Sequence, residues 1–109
     1  MNRKKTLPDD VKRLCVEFIR SYEVRKKRYP ESLLYFDRRA MNAVKKAFDE
    51  LGSDIADPKI QKEIQKKVYE SVAKRTPYRY LGETYCGESK FYKYRKEVFI
   101  SIAENMGMI

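Results

Sequence analysis

Thr76-Pro77-Tyr78-Arg79-Tyr80-Leu81-Gly82-Glu83-Thr84-Tyr85-Cys86-Gly87-Glu88-Ser89-Lys90-Phe91-Tyr92-Lys93-Tyr94-Arg95-Lys96 decides the reading of this chain. Thr76-Pro77 joins a capping residue to a proline at the first helical position, where the missing N–H would be unpaired anyway. It closes one helix and opens a short one through Leu81. Gly82 and Gly87 bracket a tight turn. From Glu88 a basic, aromatic-rich helix runs to about Met106 and stops at Gly107, a residue type suited to a helix C-terminus.

Upstream of this stretch the same punctuation recurs. Asp57-Pro58 reads as N-cap and first residue of a helix carrying Ile60, Ile64, Val68 and Val72, with Tyr69 alongside. Its other faces are largely basic, with Lys59, Lys62, Lys66, Lys67, Lys74 and Arg75. A helix from about Ser32 to Leu51 precedes it. Its inward set is Leu33, Phe36, Ala40, Met41, Val44, Ala47, Phe48 and Leu51, and Gly52 stands at its C-terminal side. The first helix begins near Pro8, with Asp9 and Asp10 complementing the positive helix start. Val11, Leu14, Cys15, Phe18, Ile19 and Tyr22 form its apolar stripe at helical spacing, and it ends in Arg25-Lys26-Lys27-Arg28-Tyr29 before Pro30. The expectation is an all-α single domain over residues 1–109, with four main helices, one short helix and a helix-turn-helix at residues 76–106. Phe18, Val44, Val72, Phe91 and Ile102 lie at the centres of the stripes and are the expected core. Val98, Phe99 and Met106 join them.

The 109 residues are 42% hydrophobic and 38% charged, which fits a folded chain with a charged surface. The net charge is +9, unevenly spread. Residues 1–30 carry net +6, residues 31–58 net −2, residues 59–96 net +7 and residues 97–109 net −2. Basic blocks around a mildly acidic one make basic faces, and a basic face fits a polyanion.

In a helix-turn-helix the first helix braces the second, whose N-terminal half enters the DNA major groove. Tyr80, Leu81, Cys86, Phe91, Tyr94 and Val98 form the expected inner set. Glu88, Ser89, Tyr92, Lys93 and Lys96 form the outward set, with Lys90 and Arg95 at its edges. Ser89 and Tyr92 are placed to contact bases or phosphates, and Lys93 and Lys96 to neutralise phosphates. Arg79 and the basic third helix add charge to the same reading. Glu88 suits DNA only as an acceptor from a cytosine amino group.

Cys86-Gly87-Glu88-Ser89-Lys90-Phe91-Tyr92-Lys93-Tyr94-Arg95-Lys96-Glu97-Val98-Phe99, followed by Ile102-Ala103-Glu104-Asn105-Met106-Gly107, resembles the end of phage late-gene transcriptional regulators of the RinA/ArpU type. That family is similar in turn to the DNA-binding fourth region of sigma factors. The resemblance covers residues 76–109 and implies a prophage-encoded DNA-binding protein that controls transcription. The sequence departs from the pattern at Leu81, where Ala is usual, and at Tyr85, where the turn usually has Gly.

Catalytic chemistry has little to stand on. There is no His, no CxxC and no phosphate-cradling glycine motif, so neither a metal nor a cofactor is expected and the protein is not read as an enzyme. Cys15 and Cys86 give no disulfide framework, Met1-Asn2-Arg3-Lys4-Lys5 has no apolar segment behind it, and no run is apolar enough to span a membrane. A cytoplasmic location is expected. The expected partner is duplex DNA, with RNA polymerase and a second copy of the chain as further candidates. The alternative is a basic helical protein-interaction module, such as a phage-encoded inhibitor or adaptor. A small DNA-packaging subunit is a third reading. An exposed apolar patch on residues 88–96 would favour a protein partner, and a polar basic face favours DNA.

Overall fold

Among the described residues, proline and glycine punctuate the folded chain where they punctuate the sequence. The computed structural model describes residues 7–28 and 35–109. Over them run α1 (Asp9–Arg28), α2 (Tyr35–Glu50), α3 (Pro58–Ala73), a single 3₁₀ turn (Tyr78–Tyr80) and α4 (Glu88–Asn105), with no strand among the described residues. The expected stop at Tyr29-Pro30, the start at Ser32 and the inward placing of Leu33 and the Phe36 side chain lie outside what is described.

Each boundary has a local cause. The Asp57 side chain accepts from the Lys59 N–H at 2.9 Å, and Pro58 occupies the first helical position of α3. At the end of α2, Gly52 takes φ +75°, and a Cβ there would meet Ile55 Cδ1 at 2.8 Å. The last carbonyls of α2 are served by α3. Gln65 donates to the Asp49 carbonyl at 3.3 Å, and Gln61 and Gln65 each donate to the carbonyl of Leu51, the residue after the helix, at 3.0 Å, which pairs acceptors that have no partner within the helix. At the end of α4, Gly107 has φ +73°. Its N–H bonds the Glu104 carbonyl at 3.1 Å, and the Met108 N–H bonds the Ala103 carbonyl at 2.8 Å, a Schellman closure.

α4 is the central element and packs against α1, α2 and α3 at once. It buries Phe91, Tyr94, Val98, Phe99, Ile102 and Ala103 against Cys15, Phe18 and Ile19 of α1, the small face of α2 and Ile64, Val68 and Val72 of α3. The α2 face is Ala40, Ala43, Val44 and Ala47, short enough for neighbouring helices to approach closely. All five residues expected at the stripe centres are buried. The Cα radius of gyration is 13.9 Å, close to the roughly 13 Å of a compact chain of this length.

The Cys15 thiol points at the Phe99 carbonyl oxygen, 3.4 Å away, and burial pushes its pKa up to about 11. It therefore stays protonated, a small core side chain that also ties α1 to α4. Leu14 departs from expectation and is 48% exposed. It stands one residue, or about 100°, from Cys15, at the edge of the buried stripe. Met106 is only partly buried, because α4 ends at Asn105 and Met106 is its C-cap.

Candidate nucleic-acid interface

The segment before α4 is not an α-helix but one 3₁₀ turn, and this changes which tyrosine faces in. In a 3₁₀ turn residues i and i+3 eclipse. Tyr78 and Leu81 thus share the inner side, with Leu81 only 3% exposed, while Tyr80 is 69% exposed. The expected inward placing of Tyr80 is corrected, and Tyr78 takes that role. The Arg79 guanidinium lies over the exposed Tyr80 ring, 5.0 Å from its centroid.

Tyr78 organises the turn. Its ring meets Phe91 edge-on at 5.2 Å and lies 6.4 Å from Tyr92. Its hydroxyl is 3.0 Å from the Thr84 hydroxyl, and both oxygens are 2.9 Å from the Cys86 carbonyl. Each hydroxyl has one proton, so two edges of this triangle are donated at a time. Buried Thr84 is thereby satisfied, and the loop is locked to the first turn of α4.

The next residue carries strain. Tyr85 has φ +61°, is half exposed, and its N–H donates to the Glu83 carboxylate at 2.9 Å. Left-handed backbone costs a side-chain-bearing residue about 1–2 kcal/mol, partly offset for glycine by its greater unfolded freedom. Tyr85→Gly is expected to stabilise the protein by about 0.5–1 kcal/mol in urea titrations. An unchanged or lower midpoint would show that the tyrosine ring returns what its backbone costs.

Locked in this way, α4 presents Glu88, Ser89, Tyr92, Lys93 and Lys96 to solvent, with Tyr92 43% exposed. These five line one shallow hollow on the outer face of the helix. Arg79 is exposed, on the 3₁₀ turn. Lys90 is exposed too but turned aside. Its Nζ is 3.6 Å from Asp54, in the α2–α3 connection, and 5.3 Å from the Tyr94 ring centroid.

Asp54 also accepts the Tyr94 hydroxyl, whose oxygen is 3.3 Å from both carboxylate oxygens. Burial first, then the Asp54 charge and hydrogen bond, push the Tyr94 phenol from 10.0 up to about 12. A raised phenol pKa means that the folded state holds the proton more tightly. The stability this supplies is complete below pH 10 and is lost as pH rises toward 12. Tyr94→Phe is expected to cost about 0.5–1.5 kcal/mol at neutral pH through the lost hydrogen bond. Its melting temperature should then fall less than that of the unsubstituted protein between pH 10 and 12. Cys15 titrates in both proteins and cancels in the difference. Parallel pH profiles would contradict the assignment.

No family model, curated protein or solved structure matches this chain. Among the described residues no group of three or more Cys, Asp or Glu side chains is placed to hold a metal ion, and no helix is long and apolar enough to cross a membrane.

Sequence reasoning set Arg95 at the edge of the site, and the structure brings it further in. Its guanidinium lies 5.7 Å from the centroids of both Tyr92 and Phe99. Desolvation lowers its pKa, Tyr92 opposes that, and nearby Arg20 adds to it. The spacing of Tyr92, Arg95 and Phe99 at i, i+3 and i+7 on one helix was the available signal. Lys12 of α1 was missed altogether. It lines a cleft together with Tyr92, Arg95 and Lys96, a juxtaposition that only tertiary packing creates.

Proposed function

We propose that this protein binds duplex DNA through the outer face of α4 and acts as a phage- or prophage-encoded transcriptional regulator. The observation behind this reading is the division of α4. Phe91, Tyr94 and Val98 are buried and hold the helix rigid, while Ser89 before them and Tyr92, Lys93 and Lys96 among them face solvent. A fixed helix with a polar, basic outer face near its N-terminus suits the major groove. The reader we infer is a shortened helix-turn-helix: the 3₁₀ turn, the loop of residues 82–87 and α4. Its resemblance to the RinA/ArpU type supplies the transcriptional part of the reading, and the cytoplasm is its place of action. Catalysis has no part in it.

Lys93 and Lys96 serve phosphates in this reading. Lys90 serves them only in competition with Asp54, and Arg79 lies beside the turn. Ser89→Ala and Tyr92→Ala are expected to change the preference among duplex sequences more than the affinity for random DNA. The direct test is fluorescence anisotropy with random-sequence duplex at about 50 mM salt, where electrostatic association is strong. Binding whose affinity falls linearly with salt on log–log axes supports the proposal. Absence of binding by the folded protein ends it.

One observation favours the second reading, a protein-interaction module. Tyr80, Tyr85 and Tyr92 are all exposed, and tyrosine is enriched at protein interfaces. If DNA binding fails, these rings are the contact patch to substitute first.

A further inference from the structure

The cation-bearing surface does not stop at α4. Tyr92 and Lys96 line two adjoining hollows: the outer one with Ser89 and Lys93, and a cleft of about 470 Å³ whose other wall is the start of α1. That wall brings Asp9 and Lys12 opposite Arg95 and Lys96. Lys12 lines the next hollow as well, with Arg13 and Arg20. Shared side chains thus join three hollows in series from α4 on to α1.

The charges along this path are poorly matched within the protein. Arg95 has no carboxylate partner among the described residues, and its guanidinium rests on two aromatic rings with Arg20 nearby. Lys12 has none either. Glu88 is the acid of the outer hollow, Asp9 the one on the cleft wall and Glu17 the one in the hollow beyond, against six Lys and Arg side chains along the three. Cations that outnumber the acids beside them, one of them half-buried over aromatic faces, suit a phosphodiester better than a cationic partner surface.

We infer that the DNA footprint crosses the cleft, with Lys12 of α1 and Arg95 of α4 gripping the backbone phosphates beside the groove that α4 enters. This rests on the DNA-binding reading and extends it to a second helix. α1 then fixes the angle of α4 on the duplex, since contacts to phosphate set register and orientation without reading sequence.

The test uses the full chain and a random-sequence duplex, with affinity measured across salt for Lys12→Ala, Asp9→Asn and Lys46→Ala. Lys46 is an exposed cation on α2 that lines none of the three hollows. Lys12→Ala should weaken binding about five- to tenfold near 0.1 M salt and flatten the log–log slope by about 0.9, the value of one phosphate contact. Asp9→Asn removes a repelling charge from the cleft and should tighten binding about two- to fivefold. A merely structural role for Asp9 would not produce a gain. Lys46→Ala should bind as the unsubstituted protein does. If Lys93→Ala weakens binding while Lys12→Ala and Asp9→Asn change nothing, the footprint is confined to α4 and the inference is wrong. Equal losses in Lys12→Ala and Lys46→Ala would reduce it to general charge and overturn it as well. No binding by the unsubstituted protein would overturn the DNA reading and the inference together. All four substituted residues, Lys93 included, are exposed, and circular dichroism verifies that each variant is folded.

Discussion

Phe91→Ala is expected to destabilise the protein by about 3–5 kcal/mol, the range for truncating a buried aromatic ring. Phe91 has no exposed surface and sits where α4 meets the turn, with the Tyr78 ring at 5.2 Å and the Tyr92 ring at 5.7 Å. Its loss removes the transfer energy of the ring and leaves a cavity that a junction between two elements closes poorly. Domains of this size are stable by only about 5–15 kcal/mol, so the variant should sit close to the edge of folding. In urea the midpoint should fall by roughly 2 M, since slopes for small proteins are about 1–3 kcal/mol per M. A fall below about 0.5 M would mean that neighbouring side chains refill the site, and that Phe91 does not hold the turn on α4. Tyr78 loses its main packing surface in the same variant, so protease cleavage at residues 82–87 should rise before the rest of the chain unfolds.

The junction around Phe91 also shows what the sequence could and could not yield. Pro58, Gly52, Gly82, Gly87 and Gly107 act through their own backbones and Asp57 through a side-chain bond to a backbone N–H two residues on, and the helix ends these local signals imply are where the structure has them. Stripe centres such as Val44, Phe91 and Ile102 were legible because the helical period alone sets each in the middle of its own helix's apolar face. Tyr80 was not, because the period itself changes in the short turn from the α to the 3₁₀ value. Leu14 shows a different limit, since the edge of a stripe is buried only if another element reaches over it.

For the candidate site the division is similar. The outward set of α4 follows from its period, and Glu88, Ser89, Tyr92, Lys93 and Lys96 are all exposed. The diversion of Lys90 toward Asp54 depends on where the α2–α3 connection passes, and no local pattern gives that. The same holds for Lys12 opposite Arg95. Residue spacing gives faces, whereas the meeting of two faces is a property of the packed core. The strained Tyr85 lies between these cases. The sequence marked it as a departure from the glycine usual at a turn, and its φ of +61° gives that departure a physical cost.

The double variant Lys93→Ala/Lys96→Ala is expected to lose most of the affinity for duplex DNA while leaving the fold intact. Both side chains are exposed on the outer face of α4, neither has an acidic partner among the described residues, and surface substitutions of this kind change stability by less than about 0.5 kcal/mol. Each phosphate neutralised releases condensed counterions, giving about −0.9 in the log–log salt slope. Removing two such contacts should flatten the slope by about 1.8 and weaken binding near 0.1 M salt by roughly 50-fold, for all sequences alike. That uniformity distinguishes these lysines from Ser89 and Tyr92, whose loss should alter the ranking of sequences. If the double variant binds as tightly as the unsubstituted protein, the outer face of α4 is not where the phosphates lie. If affinity falls for one sequence and not for another, the lysines read bases, guanine in the first instance. If the slope flattens by only one unit, one of the two points away from the backbone. Lys93→Ala and Lys96→Ala measured singly then show which, and with Lys96 shared between the outer hollow and the α1 cleft, its single variant also reports on which side of α4 the strand runs.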